Sequence, residues 1–194
     1  MVRKPHPDLE IARRIAEGDE KAAEGLFLSF SGELFGYAQR LLGDSQTTED
    51  VLQETLFGAL KAIRTFDGRI GLRAWIFGIL RHKIIDALRK KKREVRFTSA
   101  NPELDLFDQA GKWKKNVTIT PFNENAEILD VVRGCMEELP FLQREALTLR
   151  ALKGLTSQEA ADIMKLTNTN VRQILHRARQ AVRRCAEAKL GGPV

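Results

Sequence analysis

The chain has 194 residues, a net charge of +6 at neutral pH and 43% hydrophobic residues. That apolar content is enough to build real cores, which excludes wholesale disorder, and the length suits one domain or two small ones. No apolar run approaches the roughly 18 residues of a membrane span. The first ten residues lack the apolar segment of a signal peptide. We therefore expect a cytoplasmic protein that does not insert directly into a membrane.

Cysteine and histidine residues are few and scattered. Cys135 and Cys185 form neither a CxxC motif nor a zinc-type spacing, so we expect two reduced thiols in a cytosolic protein. His6, His82 and His176 form no cluster, so we expect no metal and no cofactor. We find no paired catalytic carboxylates, no nucleophile–base set and no phosphate loop. The sequence therefore does not predict an enzyme.

Helical periodicity without strand alternation predicts an all-α fold. In the first half, helices are predicted over residues 8–18, 19–43, 45–66 and 72–93. We expect the third to open with a capping box formed by Thr47 and Asp50. Its core stripe is predicted to be Leu52, Leu56, Ala59, Leu60 and Ile63. The break before the fourth helix is the glycine-containing stretch FDGRIG.

The character of the chain changes after residue 96. Residues 97–124 contain prolines and many Asn, Ser and Thr but no helical stripe. Because so long a loop is unusual within one compact domain, we interpret this segment as a flexible linker. The alternative is a poorly patterned extra element. The predicted organisation is thus two helical domains, 1–96 and 125–194, joined by the linker 97–124.

A helix-turn-helix is predicted near the C-terminus. Thr156 and Glu159 have capping-box spacing, and Thr167 or Asn168 can cap the next helix. In that second helix a core stripe recurs at helical spacing: Val171, Leu175, Ala178 and Val182. The other faces carry Asn, Gln and Arg, which suit base edges and phosphates. The alternative is a solvated helix of an ordinary α-bundle.

Positive charge is concentrated in two segments. Residues 81–96 hold eight Lys or Arg against two acids, and residues 172–184 hold five Arg and no acid. The rest of the chain is therefore net negative. Two basic patches indicate two contacts with one nucleic acid.

The third and fourth helices each carry a further unusual face. Trp75, His82 and Arg89 share a stripe of the fourth helix, a pattern that suits melted single-stranded DNA. The alternative is a core tryptophan beside a basic helix end. On the third helix, the face opposite the core is Asp50, Gln53, Glu54 and Phe57. An exposed Phe among these polar groups favours a protein contact. The alternative is a solvated stripe with one stray Phe.

Two segments carry a family resemblance. TEDVLQETLFGALKAIRTFDGRIGLRAWIFGILRHKIIDALRKKKRE resembles region two of bacterial extracytoplasmic-function (ECF) sigma factors. LPFLQREALTLRALKGLTSQEAADIMKLTNTNVRQILHRARQAVR resembles their region four. The resemblance implies a factor that directs RNA polymerase core to promoters, performs no chemistry itself and is controlled by an anti-sigma factor.

The resemblance also implies roles by position. The polymerase-binding residues would be Asp50, Gln53, Glu54 and Phe57. The residues facing the minus-ten DNA element would be Phe66, Asp67, Gly68, Arg69, Trp75, His82 and Arg89. Those facing the minus-thirty-five element would be Thr167, Asn168, Asn170, Arg172, Gln173, His176 and Arg177.

Two residues depart from the usual pattern. Lys165 stands where helix-turn-helix turns usually have Gly, so its backbone is expected to differ or to be mildly strained. Ile174 stands where many family members have Arg, so one phosphate contact is in question and Ile174 is an alternative core residue. Two other classes of function stay open: a stand-alone helix-turn-helix repressor and an adaptor that binds only protein.

Overall fold

The computed structural model describes residues 8–93, 126–152 and 154–191. Within them the α-helices are α1 (Asp8–Ala16), α2 (Glu20–Leu42), α3 (Ser45–Ala62), α4 (Leu72–Arg93), α5 (Ala126–Glu137), α6 (Phe141–Leu147), α7 (Ser157–Met164) and α8 (Asn168–Leu190). This part of the chain contains no strand, which confirms the all-α prediction. The linker predicted over 97–124 lies outside the described residues. None of the helices described is both long and apolar enough to cross a membrane.

The ends of α2 and α3 are set by their capping residues. Asp19 caps α2, which ends at Gly43 in the left-handed conformation (φ 74°) that glycine adopts at low cost. Asp44 caps α3 by accepting a hydrogen bond from the backbone N–H of Thr47 at 2.8 Å. The predicted capping box of Thr47 and Asp50 is therefore wrong. The extended backbone at Asp44 brings a carboxylate to the orphan N–H groups one turn earlier.

The core face of α3 is rotated from the predicted one. Ala59 and Ile63 are buried as expected, but Leu60 is 39% exposed, so its place in the core stripe was wrong. Val51 and Thr55 are buried on the side that faces the neighbouring helices. Thr55 is tolerated there because its hydroxyl donates to the carbonyl of Val51 at 2.7 Å. A buried threonine carries no signal in a purely hydrophobic pattern.

In the N-terminal half, α1–α4, the three longer helices α2, α3 and α4 pack against one another. α2 and α3 both contact α4. The rings of Tyr37 and Phe77 meet edge to face with centroids 5.3 Å apart, and both residues are fully buried. Leu80 and Ile84 continue the buried face of α4.

The C-terminal half, α5–α8, is built around α8, which contacts α5, α6 and α7. Pro140 precedes α6, and a π-helical turn, Thr148–Leu152, follows it. Cys135 of α5 and Cys185 of α8 form a disulfide, so the expectation of two reduced thiols was wrong. The two residues are 50 positions apart in sequence, and only the packing of α5 along α8 brings them together.

The two halves pack against each other. α7 lies on α4, and α2 contacts both α6 and the π-helical turn. Buried apolar residues of both halves belong to one hydrophobic cluster. The sequence predicts two domains but contains no signal for how they meet.

Candidate nucleic-acid interface

The helix-turn-helix consists of α7 and α8. Thr156 and Glu159 form the predicted capping box: each side chain accepts a hydrogen bond from the other residue's backbone N–H, at 3.1 and 2.7 Å. Lys165 ends α7 in the left-handed conformation (φ 56°, ψ 43°). Glycine would adopt this left-handed backbone at a lower conformational free energy than Lys165 does, so the mild strain expected from the sequence is present. This turn fixes the angle at which α8 leaves α7.

One face of α8 is core and the others are open. Thr167 caps the helix by accepting from the N–H of Asn170 at 3.2 Å. Val171, Leu175 and Ala178 are buried, as the stripe predicts, whereas Val182 is half-buried and packs against the core. The exposed side chains include Asn170, Arg172, Gln173, His176, Arg179, Gln180, Arg183 and Arg184. The buried stripe therefore holds the helix while amide and guanidinium groups point outwards.

Several polar residues of α8 have partners within the chain. The amide of Asn168 donates to Gln158 of α7 at 3.2 Å, which links the two helices of the motif. His176 lies 3.0 Å from Gln180, and Arg183 pairs with Glu187 at 2.7 Å. Ile174 is half-buried and packs against the core, in keeping with the alternative given above. The first turns therefore present Asn170, Arg172 and Gln173.

Residues 66–71 form the loop before α4, called here the α4 entry loop. Phe66 is 7% exposed and packs edge to face on Trp75, with centroids 5.6 Å apart. Gly68 has a φ of 68°, which glycine adopts readily. The exposed side chains of Asp67 and Arg69 pair with each other at 3.0 Å. In this structure Phe66 is thus a core residue, and the loop presents a charged tip.

The predicted stripe on α4 is partly covered. Trp75 is half-buried, whereas His82 and Arg89 are exposed. Arg89 pairs with Asp86 at 3.6 Å. His82 is exposed, but neighbouring protein atoms remove part of the water around its ring, and this desolvation lowers its pKa below the ordinary value. The positive charge of Lys165 lowers that pKa further. Because α4 packs against α7 of the helix-turn-helix, the stripe lies close to the other half.

The outer face of α3 is exposed as predicted. Asp50, Gln53 and Glu54 are all exposed, and Phe57 is 61% exposed. Glu54 pairs with Lys83 of α4 at 2.8 Å, and the ammonium of Lys61 lies 4.8 Å from the Phe57 ring centroid. A large exposed aromatic ring flanked by charges is typical of a protein-binding surface.

A buried polar cluster, which sequence reasoning missed, joins the two halves. The Glu145 carboxylate of α6 accepts hydrogen bonds from the Tyr37 hydroxyl at 2.9 Å and from the Arg81 guanidinium at 2.6 Å. Glu145 is 0% exposed and Arg81 has a side-chain exposure of 11%. Burial raises the pKa of Glu145, and its contacts with Arg81 and Tyr37 offset part of that rise.

One sequence signal could have revealed Glu145. Leu142 and Leu149 lie three residues before and four after it, so helical spacing places Glu145 on the apolar face of its segment. A charged residue on such a face requires a partner when it is buried. The identity of that partner, 64 and 108 residues away in sequence, carries no local signal.

The chain is similar to sigma factors in both of its halves. Residues 26–94 match the family model for sigma-70 region 2, and residues 129–182 match that for sigma-70, region 4. The chain is 32% identical over 158 residues to the ECF RNA polymerase sigma factor SigM of Bacillus subtilis, covering 81% of this chain and 91% of the relative. It is 29% identical over 167 residues to a probable RNA polymerase sigma factor of Haemophilus influenzae, covering 81% and 86%.

A solved structure shares the fold. The sigma factor RpoE from Bartonella quintana, in complex with the anti-sigma factor NepR, has a TM-score of 0.64 and 26% identity, covering 84% of this chain and 96% of that one. The two region matches occur in the order in which the sequence resemblance placed them. With these matches and the exposed arginine- and amide-bearing face of α8, the chain belongs to the ECF sigma factors, which direct bacterial RNA polymerase core to promoters and initiate transcription.

Proposed function

We propose that the chain divides its work between an N-terminal domain, residues 1–96, and a C-terminal domain, residues 125–194, joined by residues 97–124. The C-terminal domain docks duplex DNA at the minus-thirty-five element. The N-terminal domain binds polymerase and the minus-ten element, where it stabilises melted DNA. The chain acts in the cytoplasm as an initiation factor and catalyses no reaction itself.

The observation that carries this proposal is the two-faced α8. Its buried stripe is fixed on α5, α6 and α7, and its outer faces carry Asn170, Gln173 and the arginines. A recognition helix reads base edges with its first turns and contacts the backbone elsewhere. The minus-thirty-five residues are Thr167, Asn168, Asn170, Arg172, Gln173, His176 and Arg177. Asn168 and Thr167 act mainly by fixing the helix start, since both already bond within the motif.

The N-terminal surfaces complete the assignment. The residues that contact the minus-ten element are Asp67, Gly68, Arg69, Trp75, His82 and Arg89. Phe66, the first residue of the α4 entry loop, anchors the loop in the core. Asp50, Gln53, Glu54 and Phe57 bind the largest polymerase subunit. Support comes from the exposure of the α3 face and of the charged loop tip.

We also propose that an anti-sigma factor controls this chain. The similar Bartonella quintana sigma factor was solved in complex with one. The surface of this chain that binds the anti-sigma factor would include the polymerase-binding face of α3. An anti-sigma factor that covers this face blocks association with the core enzyme.

Early and late residues of α8 are expected to act differently on DNA. Asn170→Ala or Gln173→Ala should change the ranking of minus-thirty-five variants by about 1–3 kcal/mol at the affected base pair, because amides pair with base edges. Arg179→Ala should weaken all promoters alike and lower the salt slope by roughly one, the value for one lost phosphate contact. The measurement is holoenzyme binding to single-base promoter variants at several salt concentrations.

Arg133→Ala is the matched control for that experiment. Arg133 is an exposed arginine of α5 that pairs with Asp130 at 2.9 Å, so its loss removes the same charge away from the recognition helix. It should alter neither ranking nor salt slope. If Arg179→Ala reorders the promoter variants and Asn170→Ala does not, the docking direction of α8 is the reverse of that proposed.

A further inference from the structure

We propose that α1 stabilises the conformation of the α4 entry loop that discriminates minus-ten bases. The positioning residues of α1 are Asp8 and Leu9. This inference rests on the proposed role of the loop in minus-ten recognition. α1 lies before residue 26, where the region 2 match begins, so the match assigns it no role.

The first contact is made at the C-terminal end of the loop. The Asp8 carboxylate accepts a hydrogen bond from the backbone N–H of Leu72, the first residue of α4, at 2.7 Å. The first N–H groups of a helix have no partner within the helix, so a carboxylate placed there acts as a cap. Asp8 performs this function from 64 residues away in sequence.

The second contact lies over the middle of the loop. A Cβ atom added to Gly68 would come within 2.7 Å of both the Cγ and the Cδ1 of Leu9. Real Cβ atoms essentially never come so near another heavy atom, so Leu9 fills the space beside the glycine backbone. The left-handed backbone of Gly68 and the side chain of Leu9 are therefore fitted to each other.

The third contact anchors the other end of α1. The guanidinium of Arg64 donates to the carbonyl of Ala16 at 3.2 Å, just before the loop begins. Ala12 and Ile15, on the inner face of α1, are buried. α1 thus contacts the chain before, over and after residues 66–71.

The consequence concerns specificity. Asp67 and Arg69 project from the exposed side of the loop, while Phe66 is buried below it. A loop discriminates between bases only when its contacting groups are already in place. A mobile loop must be ordered on binding, and the entropy lost reduces the net binding free energy. Release of α1 should therefore reduce discrimination at the minus-ten element and leave the distant α8 unaffected.

The test measures transcription by holoenzyme made with the full chain, from promoters carrying single-base changes in either element. Asp8→Ala should reduce the preference for the best minus-ten base by about 2- to 30-fold, the range that loss of a helix cap gives. Leu9→Ala should reduce the same preference, because it removes the side chain that fills the space beside Gly68. The minus-thirty-five preference should stay as in the wild type. Asp8→Asn should restore discrimination, because its amide oxygen still accepts from Leu72.

Two further variants separate positioning from general damage. Glu10→Ala changes an exposed residue of α1 that pairs only with Arg13 among the contacts described, and should have no effect. Gly68→Ala should reduce discrimination less in the Leu9→Ala background than alone, because the two groups compete for the same space.

Three results would overturn the inference: wild-type minus-ten discrimination in both Leu9→Ala and Asp8→Ala, equal losses at both promoter elements, or no recovery with Asp8→Asn. A wild-type holoenzyme that shows no minus-ten preference at all would instead overturn the proposed role of the loop itself.

Discussion

Glu145→Ala is expected to destabilise the packing of the two halves by about 3–5 kcal/mol, the cost of removing one partner from a buried ion pair. The substitution leaves the Arg81 guanidinium, 11% exposed, without its carboxylate, and leaves the buried Tyr37 hydroxyl without its acceptor. Urea unfolding measures the loss of stability, and small-angle X-ray scattering measures the expected increase in radius of gyration.

Two control variants sharpen that experiment. Glu145→Gln keeps an oxygen that accepts from Tyr37 and Arg81, so it should cost less than the alanine variant. Asp130→Ala breaks an exposed pair with Arg133 and should cost at most about 1 kcal/mol. If Glu145→Ala were as compact and as stable as Asp130→Ala, the buried cluster would not hold the halves together.

The free energy of unfolding is expected to depend on pH through the carboxyl group of Glu145. Because burial raises the pKa of Glu145 above its ordinary value of 4.5, the folded chain binds the proton more tightly than the unfolded chain. The stabilisation that comes from this tighter proton binding is therefore fully present below pH 4.5 and is lost as the pH rises through the folded-state pKa. Glu145→Gln, which does not titrate, should lack this part of the profile.

The double variant Asp50→Lys with Glu54→Lys is expected to weaken association with polymerase core by at least about tenfold. Both residues are exposed on α3, so helicity should not change, whereas reversing charges at an interface places like charges together. A pull-down with purified core enzyme and a circular dichroism spectrum measure the two quantities.

The matched control is Glu20→Lys with Glu24→Lys on α2. These exposed acids have the same spacing of four residues and produce the same change in net charge. Core association should stay near the wild-type level. Full association of the α3 variant, or an equal loss in both, would contradict the assignment of the α3 face.

The local features of this fold could be predicted from sequence because their signals are local. The bounds of α4, the capping box of Thr156 and Glu159, and the buried stripe of α8 depend on residues within one or two turns of each other. The exposed acidic face of α3 followed from the same periodicity, although Leu60 did not enter the core. The error at the start of α3 was equally local, because the carboxylate of Asp44 supplied a competing cap.

The features that could not be predicted are contacts between distant residues. Three such contacts join residues 50 or more positions apart in sequence. They are the disulfide of Cys135 with Cys185, the buried ion pair of Glu145 with Arg81, and the hydrogen bond from the backbone N–H of Leu72 to Asp8. Periodicity indicates which face of a helix is buried but not which neighbour covers it. The sequence could therefore name candidate site residues, and their roles stay predictions. The packing of α7 on α4 and the contacts of α1 with the α4 entry loop required the structure.

In vitro transcription from a genomic promoter library, with purified polymerase core and this chain, measures directly whether the chain selects promoters. Transcripts should begin downstream of a shared pair of elements, and none should appear when the chain or the core enzyme is omitted. If the chain bound duplex DNA tightly without polymerase and yielded no new transcripts with it, it would act as a helix-turn-helix repressor and not as an initiation factor.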